Sequence, residues 1–128
     1  MFELKVKSGF AGAHQLSMVG QKCENLHGHN WKIEVCLAGE DLNNAGVLMD
    51  FGEFKNILSG IIKQLDHKFL NELEYFNDSF PPSSENIAYY IANELKASIN
   101  DPLVKVSSVT AWESENACAT YITSESSV

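Results

Sequence analysis

Four histidines are available to this chain of 128 residues, and two of them stand one residue apart in Cys23-Glu24-Asn25-Leu26-His27-Gly28-His29. On an extended strand alternate side chains share a face, so His27 and His29 can offer both imidazoles to one cation. Two imidazoles leave a tetrahedral site incomplete, and an open fourth position is what separates a catalytic metal from a structural one. His14 follows the first strand-like run, within reach of a hairpin partner, and is the natural third ligand. A three-histidine zinc site is the leading reading, although imidazole ligands alone admit copper, iron or nickel. Cys23, four residues before His27, is open to three roles: a fourth ligand, a small buried hydrophobe, or a thiol activated by the neighbouring cation.

Two further places carry chemistry. Asp66-His67 pairs an acid with an imidazole, as a proton relay does, but it also reads as a charged helix end. Glu113 closes an apolar strand, where a carboxylate needs a partner. A ligand with a guanidine-like pair of N–H groups would meet both oxygens; a salt bridge or an exposed strand end would serve as well.

The elements that must position these residues follow from periodicity. Phe2, Leu4 and Val6 alternate with Glu3, Lys5 and Lys7, as in a half-buried strand. Residues 17–26 show no period and hold Gly20 and Cys23 in a loop. Trp31, Ile33, Val35 and Leu37 form the second strand and share parity with His27 and His29, unless a bulge at Gly28 breaks the register. Phe51, Phe54, Ile57, Leu58, Ile61, Ile62 and Leu65 recur at helical spacing behind Asp50 as N-cap. Pro81-Pro82 cannot lie inside a helix, and Ser83 or Ser84 can cap the next one, which carries Ile87, Ile91 and Leu95. Residues 103–113 and 117–123 are the last strands. The order β-β-α-α-β-β predicts an α+β domain over residues 1–128: a four-stranded antiparallel sheet, two helices between strands 2 and 3, and two free edges that pairing with other subunits would cover. Cys36 and Cys118 fall in strand runs and read as core residues.

Composition narrows the partners. The chain is 45% hydrophobic and 20% charged, with a net charge of −8. That charge argues against a nucleic-acid partner. An anionic small molecule is compatible, with Lys5, Lys7, Lys22 and Lys32 as local cations, though a solvated strand face explains them too. No run approaches the roughly 20 apolar residues of a membrane span, and Met1-Phe2-Glu3-Leu4-Lys5 reads as a strand and not as a signal peptide. Three irregularly spaced cysteines do not make a disulfide framework, so a reducing cytoplasm is expected.

Taken together, Phe10-Ala11-Gly12-Ala13-His14, the Cys23–His29 segment, Gly46 through Phe51, Leu65-Asp66-His67, Pro82-Ser83-Ser84-Glu85-Asn86 and Glu113 resemble the 6-pyruvoyl-tetrahydropterin synthase / 6-carboxytetrahydropterin synthase family. The resemblance runs nearly the whole chain. The three-residue gap between Cys23 and His27 is similar to the bacterial 6-carboxytetrahydropterin synthases of the queuosine pathway. The resemblance implies a tunnelling fold, with sheets of three subunits joined into a barrel and two trimers stacked as a homohexamer with intersubunit active sites. By matching position it implies zinc on His14, His27 and His29, Cys23 as base, and Asp66 and His67 as a proton relay contributed across a subunit boundary. Glu113 would anchor the pterin, and Ser83 and Ser84 would help hold it; the family's usual residue at Ser83 is threonine. The implied reaction is zinc-dependent conversion of 7,8-dihydroneopterin triphosphate to 6-carboxy-5,6,7,8-tetrahydropterin, acetaldehyde and triphosphate. The alternatives are the pyruvoyl-forming synthase of biopterin-type pathways and a catalytically silent metal- or pterin-binding module.

Overall fold

The computed structural model describes residues 1–17 and 26–124. Strand β1 (Phe2–His14) and strand β2 (His27–Gly39) form a long antiparallel pair, joined in unbroken register from Phe2 opposite Gly39 to His14 opposite His27. The register therefore runs straight through Gly28. The irregularity that does occur lies between Cys36 and Leu37, where β2 meets strand β4 (Lys105–Trp112). Strand β5 (Cys118–Ile122) pairs antiparallel with β4 and forms one edge.

The sheet has five strands where four were expected. The fifth, β3 (Lys68–Phe69), lies parallel to β1 beside Gly12 and Ala13, giving the order β3-β1-β2-β4-β5. Two residues are too few to show a period, and what brings them to the edge is a turn at His67, whose φ is 58°. Helix α1 (Phe51–Ile62) begins as expected, with the Asp50 carboxylate accepting the Glu53 N–H at 3.0 Å. It ends before Leu65 because the chain tightens into successive turns, Gln64 N–H to Ile61 and Leu65 N–H to Ile62. Leu65 is nonetheless fully buried. Helix α2 (Ser84–Ser98) is capped by Ser83, whose hydroxyl accepts the Asn86 N–H at 3.1 Å.

Both helices cover one face of the sheet. Val6, Phe10, Trp31, Ile33, Val35, Val109 and Ala111 pack there against Phe54, Leu58 and Ile61 of α1 and Ile87, Ile91 and Leu95 of α2. The opposite face carries exposed Lys5, Lys7, Lys32 and Thr120. Cys36 is buried, as expected, but Cys118 is exposed. It begins the edge strand β5, where no described residue covers it. Among the described residues, no helix is long and apolar enough to cross a membrane.

Candidate active site

Strand parity builds the site before any side chain is placed. His14 and His27 are directly opposite across the β1–β2 pair, and His29 stands opposite Gly12, two residues along on the same face. Glu113 follows β4 two residues after buried Ala111, so it emerges on that face as well. The Glu113 N–H bonds to the Ala117 carbonyl at 3.1 Å and so closes the β4–β5 turn. Three adjacent strands thus deliver four side chains to the end of the core face.

The four converge. The Nε2 atoms of His14 and His27 lie 3.1 Å apart, and Glu113 Oε1 is 3.0 Å from His14 Nε2, 3.0 Å from His29 Nε2 and 3.8 Å from His27 Nε2. One ligand atom from each residue fits within 4.8 Å of all the others. Zinc–imidazole bonds of about 2.0–2.1 Å put tetrahedral ligands roughly 3.3 Å apart, so this donor set matches a small borderline cation in spacing and in type. His14 is fixed further. Its Nδ1 donates to the Pro82 carbonyl at 2.8 Å. A carbonyl oxygen only accepts, so the neutral ring carries its proton on Nδ1 and turns the Nε2 lone pair inward, as a metal-ligating imidazole requires. Trp31 meets His14 and His29 edge-on, at centroid distances of 5.1 and 5.4 Å. Its indole N–H donates to the Gly12 carbonyl at 3.2 Å, which holds this wall in place.

Asp66 and His67 come together with each other at the edge of β1. Asp66 Oδ1 accepts the Ala11 N–H at 3.0 Å and Asp66 Oδ2 lies 3.0 Å from His67 Nδ1. The His67 N–H donates to the Ala11 carbonyl at 2.6 Å. The Ala11 N–H and then the adjacent imidazole hold the Asp66 carboxyl below its ordinary 3.8. The His67 side chain is 81% exposed. It borders an open groove of about 490 Å³ that also takes in Gly12, Ala13, Gly28, His29 and Phe69. The groove runs along the paired ends of β1 and β2 and includes His29 of the cluster.

The other expected site residues are placed differently. Ser83 spends its hydroxyl on the helix cap, and Ser84 is the first residue of α2. Asn86 supports the same turn through its amide, which donates to the Pro81 carbonyl at 2.8 Å. Cys23 lies outside the described residues. Sequence reasoning missed Pro82, because a backbone carbonyl has no side-chain signature. It also missed Trp31 as a wall, although the parity shared with His27 and His29 pointed to it.

This sheet, helix layer and convergent cluster define a class of pterin-synthase-like proteins. Residues 3–124 match the 6-pyruvoyl tetrahydropterin synthase family, and the chain belongs to that family of enzymes. It is 32% identical over 143 residues to the 6-carboxy-5,6,7,8-tetrahydropterin synthase of Haemophilus influenzae, covering 94% of this chain and 99% of that one. It is 33% identical over 107 residues to the dihydroneopterin monophosphate aldolase of Pyrococcus furiosus, covering 84% and 85%. The structure of Caenorhabditis elegans 6-pyruvoyl tetrahydropterin synthase superposes with a TM-score of 0.82 at 26% identity, covering 96% of both chains. The tunnelling fold expected of the single chain is therefore present.

Proposed function

We propose that this chain is a zinc-dependent 6-carboxytetrahydropterin synthase serving queuosine or related 7-deazapurine synthesis. The observation that carries the reading is the convergence of three imidazole Nε2 atoms, from adjacent strands, in a member of this family. The substrate is 7,8-dihydroneopterin triphosphate. With one water taken up, it yields 6-carboxy-5,6,7,8-tetrahydropterin, acetaldehyde and triphosphate, with the oxidation change internal to the substrate.

His14, His27 and His29 would hold the metal, with His14 oriented by the Pro82 carbonyl. Bound there, zinc supplies Lewis acidity toward side-chain oxygens and lowers the cost of deprotonating an adjacent carbon. Glu113 anchors the ring, its carboxylate accepting the paired 2-amino and ring N–H donors. Cys23 is the base on the side chain. His67, oriented by Asp66, moves protons to and from the substrate. Ser83 and Ser84 shape the approach to the ring through the turn that presents Pro82. The His67 side chain is 81% exposed at the edge of β1, which supports sites completed between copies and the proposed hexamer.

The test is mass spectrometry of products from zinc-loaded protein given 7,8-dihydroneopterin triphosphate. Equimolar 6-carboxytetrahydropterin and acetaldehyde are expected. A 6-pyruvoyl product without acetaldehyde would move the chain to the biopterin-type reaction, the activity named for a 34%-identical Drosophila melanogaster relative. Turnover of dihydroneopterin monophosphate alone would place it with the aldolase-named relative. Bound metal with no turnover of either compound would leave a silent pterin-binding module.

A further inference from the structure

Both ladders flanking β1 stop just before the chain leaves the sheet. The pairing with β2 ends at His14 opposite His27, and that with β3 ends at Ala13 beside Phe69. The next residue, Gln15, lies beyond both ladders, and its backbone is held at both polar groups by one side chain. Asn71 Oδ1 accepts the Gln15 N–H at 2.9 Å, and Asn71 Nδ2 donates to the Gln15 carbonyl at 2.7 Å. An amide is the one short uncharged group that can donate and accept in this way, so Asn71 acts as a further rung of sheet. Asn71 belongs to the 3₁₀ turn Leu70–Glu72 directly after β3. Residues 66–71 therefore hold the C-terminal end of β1 on either side of His14, Asp66 and His67 on Ala11 and Asn71 on Gln15.

We propose that Asn71 is a positioning residue for the metal centre, fixing the strand end that aims His14. This rests on the reading of His14, His27 and His29 as metal ligands. His14 is the most buried of the three and is already held on its far side by Pro82. Its ring cannot follow a displaced backbone without losing either that carbonyl or the cluster. Releasing Gln15 thus transmits directly to the inward Nε2.

The test is zinc affinity of the apo protein, by competition with a chromophoric chelator, alongside thermal unfolding. Removing an outer partner of a ligand costs about 10–100-fold in metal affinity, and Asn71→Ala should fall in that range. Asn71→Asp keeps the acceptor for Gln15 N–H and loses the donor, so it should weaken binding less; it also carries the test if the alanine variant does not fold. Leu95→Ala is the control. It cuts the core about 16 Å along α2 from the helix's first residue, Ser84, and should lower Tm while leaving zinc affinity unchanged. Unchanged zinc affinity in both folded Asn71 variants, with only Tm reduced, overturns the positioning role. Absence of stoichiometric zinc binding by the unsubstituted protein overturns the ligand reading itself, and the positioning role with it.

Discussion

At the scale of the residue, Glu113 separates two uses of one carboxylate. Its Oε1 sits 3.0 Å from two of the imidazoles, close enough to serve as a fourth ligand. A catalytic metal needs that position open, and this favours Glu113 as the ring anchor. Glu113→Gln should then retain stoichiometric zinc while KM for the pterin rises about tenfold or more, the value of a hydrogen bond to a charged acceptor. Loss of zinc in that variant would make Glu113 a ligand. Asp66 makes a pH prediction. Its folded pKa lies below its ordinary 3.8, so its ionisation favours the folded state. That contribution is fully present well above 3.8 and fades as pH falls through 3.8 toward the lower folded value. Asp66→Asn keeps an acceptor for Ala11 but does not titrate. The Tm difference between the two proteins should shrink as pH falls from about 5 through 3.8. A difference that stays constant from about pH 5 down to about pH 2 would be inconsistent with Asp66 as its source.

At the scale of the element, Ser83 tests whether a hydroxyl near the site serves the fold or the substrate. As the α2 cap it should be worth about 1 kcal/mol, so Ser83→Ala should lose that amount in denaturant titration and Ser83→Asn should keep most of it. A large rise in pterin KM without loss of stability would instead make it a substrate contact. The elements also show what the sequence could reveal and what it could not. The parity of His27 and His29 with Trp31, Ile33 and Val35 was readable because a two-residue period survives any smooth twist. The Asp50 cap was readable because capping chemistry is local. β3 was not, because a two-residue strand is made by a backbone turn and an edge already present. Leu65 kept its helical spacing and its burial after the helix had ended, so the apolar pattern located the core correctly and the helix terminus three residues late. Pro82 and Asn71 act on or through backbone groups, and their roles appear only when residues 68 and 56 positions apart come together.

At the scale of the molecule, the histidine–glutamate cluster gathers at the end of the core face, while the Asp66–His67 dyad sits at the β1 edge with its imidazole exposed. If copies complete one another's sites, His29→Ala and His67→Ala proteins should each be nearly inactive alone. Dissociated and reassembled together, they should regain a substantial fraction of activity, because some mixed sites contain both intact halves. No recovery despite subunit exchange, measured with differently tagged copies, would require the dyad and cluster to act within one chain. The left-handed backbone of His67 bears on the molecule as a whole. A side chain there costs roughly 1–2 kcal/mol that glycine would not. His67→Gly should therefore unfold at higher denaturant than His67→Ala, and higher than the unsubstituted protein if the Asp66 contact is worth less than the strain. Equal midpoints for the glycine and alanine variants would show the turn to be relaxed. Where the strain outweighs the Asp66 contact, selection for robustness alone would replace the imidazole with glycine at this one position.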